Sequence, residues 1–426
     1  MILTNARILT FDSADRVLDS GSVEVLDDGA IGSVRDGRAL DAYAVDLQGR
    51  LLMPALINCH THLYSTLARG IHLPGPPPPD FPATLKKLWW RLDRALTEED
   101  VYYSALTGLI DSARCGVGTV IDHHSSPNAC AGSLDCVERA FHEVGLRGAT
   151  CYETSDRNGR RGAAAGIREN VRFLERVRPA AQVGGMFGLH AAFTLGDRTL
   201  AACVEANQSL GAGFHIHVAE DVCDRSAVRR LCAAGVLNEK ALAAHCIHIT
   251  AAERTALARH RVNVVHNPQS NCNNAVGIAD LPALFRSGTT VGLGSDGYSP
   301  RMFEEFKTAF HVQKLMAGDP RVAYAEAYAA AFLNNRTIVK KLWGMEIGRI
   351  EKGAQADLIL VDYYPPTPLH GGNLFGHILF GIANAPVDSL MVNGRFVVRE
   401  KQCVTVDERH IAEKAAQRAR ALWERF

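Results

Sequence analysis

Several things are missing from this chain, and each absence narrows its class. No stretch approaches the roughly eighteen uninterrupted apolar residues that a membrane-spanning helix needs. Residues 1–20 have neither the basic start nor the long apolar core of a secretion signal, so a cytoplasmic protein is expected. The 11 cysteines are odd in number and scattered, and no two form a CxxC pair. That argues for reduced, mostly buried thiols rather than a disulfide framework. An excess of one charge is also absent: 46 basic residues balance 46 acidic ones. Nothing in that balance favours nucleic acid or a membrane surface as partner, which leaves a small molecule.

What is present is length and alternation. At 426 residues the chain is too long for one ordinary core, so a large domain with a smaller companion is the natural organisation. Residues 1–52 read as short strands with turns at 12–16 and 27–29. Residues 350–403 have the same texture, with turns at Lys352-Gly353 and Asn393-Gly394. Two strand-rich ends around a βα-rich middle most simply pair into one small β-sandwich formed by both termini. In 404–426, Ile411, Ala415, Ala419 and Leu422 recur at helical spacing, which predicts a C-terminal helix packed on the outside.

The middle, 53–349, alternates short apolar runs with helix-length segments. The runs are 51–57, 119–122, 147–152, 183–189, 213–217, 241–244, 262–266 and 290–293. Eight runs, each followed by room for a helix, predict an α/β fold with a closed (β/α)8 TIM-like barrel. After the first run comes a stiff loop, PGPPPPDFP, and then an amphipathic helix carrying Trp89 and Trp90. That helix is a candidate lid or subunit contact, or it packs on the barrel.

Chemistry gathers at the ends of the runs, where a barrel of this kind builds its site. The first ends in Asn58 and Cys59, then His60 and His62. Residues two apart on a strand point the same way, so both imidazoles can meet one ion. Neutral ring nitrogens suit a divalent ion such as Zn²⁺ or Fe²⁺. From the fourth run onward the ends deliver His190, His217, His245, Asn267 and Asp296 in turn.

These residues carry a family resemblance. MPALINCHTH, HVAE, the isolated His245, HNPQSN and GLGSDG, in that order, resemble the amidohydrolase superfamily in its cytosine, guanine and triazine deaminase branch. Within it, LLMPALINCHTHLYSTLARG, LKKLWWRLDRAL, VIDHHSSP, MFEEFK and PTPL are similar to the SsnA-type aminohydrolases. The resemblance covers nearly the whole chain. It implies that His60, His62, His217 and Asp296 hold one divalent metal, Zn²⁺ first and Fe²⁺ second. It also implies that Glu220 shuttles protons, that His245 hydrogen-bonds the reactive water, and that His190 reaches the substrate. Asp296 would double as proton acceptor. Homodimers are common among such relatives.

The roles agree with elementary chemistry. Three imidazoles and a carboxylate leave a coordination position for water. The H-x-x-E spacing favours Glu220 over its neighbour Asp221 as the proton carrier. Binuclear relatives bridge two metals with a carboxylated lysine on a middle strand, and no lysine occurs between Lys87 and Lys240. One metal is therefore expected, with Glu153 as an alternative bridge or a structural or substrate-binding acid. His215 reads as a support one layer lower, His123 and His124 as pocket or structural residues, and His248 and His266 as outside the ligand set. Arg69, Arg157, Phe193, Gln269, Asn271 and Tyr298 fall on loops over the mouth. Of these, Arg157, Phe193, Gln269 and Asn271 join His190 as the substrate contacts expected. The activity expected is hydrolysis of the exocyclic amine of an aminated heterocycle, such as a purine or pyrimidine base, with release of ammonia. Opening of a cyclic amide or amidine, or displacement of another leaving group at the same carbon, is the alternative. An inactive assembly subunit is the third.

Overall fold

The computed structural model describes residues 1–177 and 182–426. Both termini contribute to one nine-stranded sheet. Ile2–Leu9 runs antiparallel to Val17–Val25 and parallel to Leu51–Pro54, which in turn runs antiparallel to Leu358–Val361. Strands Val387–Val392 and Arg395–Arg399 extend the sheet beyond it. One face keeps its own apolar cluster of Leu3, Ile8, Val23, Leu52, Leu358 and Met391. Residues of opposite pleat, such as Leu51, Met53, Ile359 and Leu390, join the large core shared with the barrel helices, as the strand period of two requires.

The run expected as one strand over 51–57 is two. Ala55 N–H donates to Asp357 and Leu56 N–H to Gly116, so the chain changes hydrogen-bonding partners at Pro54-Ala55. Leu51–Pro54 belongs to the terminal sheet, and Leu56–Thr61 is barrel strand 1.

Val117–Asp122, Arg147–Thr150 and Val183–Gly185 follow strand 1 in one parallel arc. Phe187–Ala191, Phe214–Val218, Leu242–His245, Asn263–His266 and Thr290–Leu293 form the second. The fourth strand is thus interrupted at Met186, its first half pairing back and its second half forward. Bridges between Thr154 and Leu189 and between Thr61 and Asp296 join the arcs at both seams. Ile57, Cys59, Ile121, Cys151 and Met186 pack together beneath the site.

A buried asparagine stitches each seam. Asn335 donates to the carbonyls of Ile57 (2.7 Å) and Leu293 (3.0 Å) and accepts from Leu293 N–H (2.8 Å). Asn170 donates to Tyr152 and Gly188 carbonyls (2.9 and 3.2 Å) and accepts from their N–H groups (2.9 and 3.1 Å). At both places strand pairing is incomplete, and the side-chain amide supplies partners that the buried backbone would otherwise lack.

The C-terminal helix Glu408–Arg425 buries Ile411, Ala415 and Leu422. Its Arg418 donates to the wholly buried Asp100 (2.9 Å) at the start of helix Glu98–Arg114. Trp423 Nε1–H donates to Leu67 O (2.8 Å), fastening the loop that follows barrel strand 1. No helix among the described residues is long and apolar enough to cross a membrane.

Replacing Asn170 or Asn335 with leucine strands buried backbone groups without partners. Each substitution is expected to cost about 2–4 kcal/mol in urea unfolding, and a loss under about 0.5 kcal/mol would contradict the stitching role.

Candidate active site

His60 and His62 leave barrel strand 1 on one side, His217 comes from strand 5, and Asp296 from the turn after strand 8. One ligand-capable atom from each of the four lies within 4.8 Å of the others. Each imidazole turns its Nδ1 away. His62 Nδ1–H donates to His123 O and His217 Nδ1–H to His190 O, both at 2.7 Å. His60 Nδ1 meets His215 Nε2 at 2.9 Å. With His60 donating, His215 turns its own Nδ1–H to Cys151 Sγ, 3.7 Å away.

All three Nε2 lone pairs therefore face a common centre. His62 and His217 Nε2 are 3.1 Å apart, Asp296 Oδ1 is 3.0 Å from His62 Nε2, and His60 Nε2 is buried with no partner among the described residues. Acceptors crowded so closely in a buried space repel one another unless a cation lies between them. Three nitrogens and one carboxylate fit a divalent ion of the zinc or iron kind.

Beside this group lie Glu220 and His245. Glu220 Oε2 is 3.6 Å and Asp296 Oδ2 3.7 Å from His245 Nε2. His245 Nδ1 is fixed on Asn271 Oδ1 at 2.8 Å, which leaves Nε2 as an acceptor aimed at the centre. Burial, reinforced by the Asp296 charge, raises the Glu220 carboxyl well above the usual range. Asp221 instead accepts from Cys223 N–H at the surface. Both Asp296 oxygens are held, Oδ1 by Gly297 N–H (2.7 Å) and Oδ2 by Ser270 Oγ–H (2.6 Å). The backbone bends sharply where these groups emerge: Ala219, His245 and Asp296 have φ of 49°, 73° and 54°. Left-handed conformations of non-glycine residues cost on the order of 1–3 kcal/mol each and cluster at functional sites.

The group opens into a cavity with Phe81, Leu85, Trp89, Trp90 and Phe193 on its walls. Both tryptophans thus face the cavity. His190 lines it, its Nδ1 fixed on Thr194 Oγ1 at 2.8 Å. Arg157 lines it too, but its guanidinium is paired with buried Asp93 and with Ser125 Oγ (2.8 Å). Tyr298 is on the rim, whereas Arg69 is exposed and paired with Asp111.

Two expected substrate contacts lie elsewhere. Gln269 and Asn271 are not on the cavity wall, because a helix starts immediately at Pro268 and its turn directs Ser270, Asn273 and Asn274 to the mouth instead. Gln269 N–H donates to Glu305 (3.1 Å), and Asn271 is buried beneath as the partner of His245.

Glu153 is more central than its sequence context suggests. Its Oε1 is 3.2 Å from Nδ1 of both His62 and His123. Burial opposes its ionisation, yet these imidazoles hold its carboxyl well below the usual range. The signal was its place at the end of strand 3. His124 Nε2 meets Ser126 Oγ (2.8 Å), and His248 Nε2 meets Val276 O (2.7 Å). Ser270 carries no sequence signal beyond its place in HNPQSN.

A model of the amidohydrolase family matches residues 51–397. The chain belongs to the amidohydrolase family. Among relatives of this amidohydrolase, a 5-methylthioadenosine/S-adenosylhomocysteine deaminase of Pelotomaculum thermopropionicum is 30% identical over 98% of both chains. A 5'-deoxyadenosine deaminase of Methanosarcina mazei is 29% identical over 99% of this chain and 98% of its own. A zinc-bound adenosine deaminase of Xanthomonas campestris superposes with a TM-score of 0.86 at 23% identity, covering 99% of this chain and 98% of that one. The zinc complex of atrazine chlorohydrolase from Arthrobacter aurescens gives a TM-score of 0.81 at 19% identity, with 98% and 99% covered. The chain is a hydrolase with the barrel fold of that family.

His215 orients a ring of the candidate metal group without belonging to it. His215→Phe should weaken retention of a divalent ion about 10–100-fold in a chelator titration, and unchanged retention would contradict the orienting role.

Proposed function

We propose that this amidohydrolase removes the exocyclic amine of an aminated heterocycle, an adenosine-type nucleoside or a related purine or pyrimidine, and releases ammonia. The observation that carries the proposal is Glu220. This buried carboxyl is favoured in its neutral form and lies beside His245 at the edge of a group that fits a divalent ion. The names of the deaminase relatives support the same reading.

In this proposal His60, His62, His217 and Asp296 hold one divalent ion, Zn²⁺ by preference. When bound, the ion supplies a Lewis acid that makes water nucleophilic near neutrality. Asp296 Oδ2 accepts a proton from the attacking water, and His245 Nε2, 3.7 Å away, accepts a hydrogen bond that fixes the water's approach. Glu220 donates its proton to the ring nitrogen beside the amine-bearing carbon. The proton held by Asp296 then passes to the departing amine and the hydroxyl proton returns to Glu220, so that C–NH2 and water become C=O and NH3. Trp90 and Phe193 offer aromatic faces to the flat ring, with His190 and Arg157 at its edge. The barrel (53–349) is the catalytic unit, the terminal strands (1–52 and 350–403) its scaffold and 404–426 a helical brace, in a cytoplasmic homodimer.

Ammonia release from zinc-loaded protein, measured across adenosine, 5'-deoxyadenosine, 5-methylthioadenosine, guanine and cytosine, tests the proposal. At least one should be turned over, and Glu220→Gln should lose about 100-fold or more in kcat. Equal activity in that variant would contradict the assigned role. Products bearing an intact amine would favour displacement of another leaving group.

A further inference from the structure

Where strand 3 ends beside strand 4, the backbone sets two acceptors side by side. His190 N–H donates to Thr154 O at 3.0 Å, and Thr154 bridges to Leu189. Glu153 and His190 are thereby brought to the same cavity wall. Glu153 Oε1 lies against the rings of His62 and His123, 3.2 Å from each Nδ1. Its other oxygen, Oε2, is 3.8 Å from His190 Nε2, beyond direct hydrogen-bond reach.

Thr194 decides what His190 offers there. The threonine hydroxyl has one proton, and it donates that proton to Ala191 O at 3.0 Å. Toward His190 Nδ1, 2.8 Å away, the same oxygen can only accept. The hydrogen of the neutral ring therefore sits on Nδ1, and Nε2 presents a lone pair. Trp90 and Phe193 pack against that ring edge to face, with centroids 6.3 and 6.1 Å away.

Two acceptors at this separation call for a donor from outside the chain. A nitrogen about 2.9 Å from each would close the gap. Glu220 and Asp296, assigned above to ring protonation and to the amine, adjoin His245 instead. The pair beside strand 4 is left to read another part of the substrate. We propose that Glu153 Oε2 and His190 Nε2 together accept a ring N–H of the heterocycle, and that Thr194 is the positioning residue that makes His190 an acceptor. The inference rests on the aminated heterocycle proposed above and narrows it to rings that keep an N–H, which adenosine-type nucleosides lack.

Equilibrium binding to the zinc-loaded protein tests this with the deamination products uracil, hypoxanthine and xanthine and the N-methyl isomers of each. At least one product should bind about tenfold or more tighter than one of its N-methyl isomers. A methyl group also adds bulk, so the deciding comparison is at Thr194, with metal content matched to wild type. Thr194→Val frees the His190 tautomer and should bring that ratio to within about twofold by weakening the parent ring, while Thr194→Ser should restore it. A ratio near one for every isomer in the wild type, no binding of any product, or an unchanged ratio in Thr194→Val would overturn the inference. A crystal with the tightest product should place a ring nitrogen within hydrogen-bond reach of both Glu153 Oε2 and His190 Nε2, and a ring that leaves either atom out of reach would overturn it as well. Wild-type protein that binds these rings with the expected preference yet frees no ammonia defeats the deamination proposal alone, because binding is read without turnover.

Discussion

The structure depends on a repulsion. Three imidazole nitrogens and a carboxylate converge at the floor of the cavity, and the rest of the barrel mouth is arranged to hold them there. The second nitrogen of each ring is committed to an acceptor that cannot move away: the backbone oxygens of His123 and His190, and the ring of His215. The two carbonyls lie on or beside neighbouring strands, so strand register orients His62 and His217, while His60 depends on the side chain of His215 across the barrel. The same economy holds around Asp296, whose oxygens are fixed by the next backbone N–H and by a serine from the adjoining helix. Such a donor set fits a divalent ion between its members.

Strain and stitching serve the same end. The left-handed turns at Ala219, His245 and Asp296 swing functional side chains inward at the strand ends. Asn170 and Asn335 supply the backbone partners missing at the two seams, so the closed barrel can bear that strain. Glu220 and Glu153 show how position alone separates two buried acids. Glu153 lies among the rings of His62, His123 and His190, whose influence outweighs burial and holds its carboxyl well below the usual range. Glu220 faces His245 and Asp296, and burial with the Asp296 charge raises its carboxyl well above the usual range.

Much of the fold is legible in the sequence because strand and helix periods are. Seven of the eight apolar runs read from the sequence coincide with barrel strands to within a few residues. The run 51–57 misled because Leu51 to Ile57 is uniformly apolar, and only the switch of hydrogen-bond partner at Ala55 divides it. The convergence of the strand-end residues was visible from their order, since a barrel brings consecutive strand ends together. The phase of a short helix was not. Gln269 and Asn271 turn away from the mouth while Ser270 and Asn274 face it. Asn170 and Asn335 could not be singled out, because their partners are backbone atoms distant in the chain and leave no motif.

X-ray absorption spectroscopy of the zinc-loaded protein tests the central claim most directly. The account predicts a first shell of three imidazole nitrogens and one or two oxygens at about 2.0–2.2 Å, without sulfur. A sulfur scatterer at about 2.3 Å would place the ion on a cysteine instead, and with that result the converging lone pairs would lose their explanation.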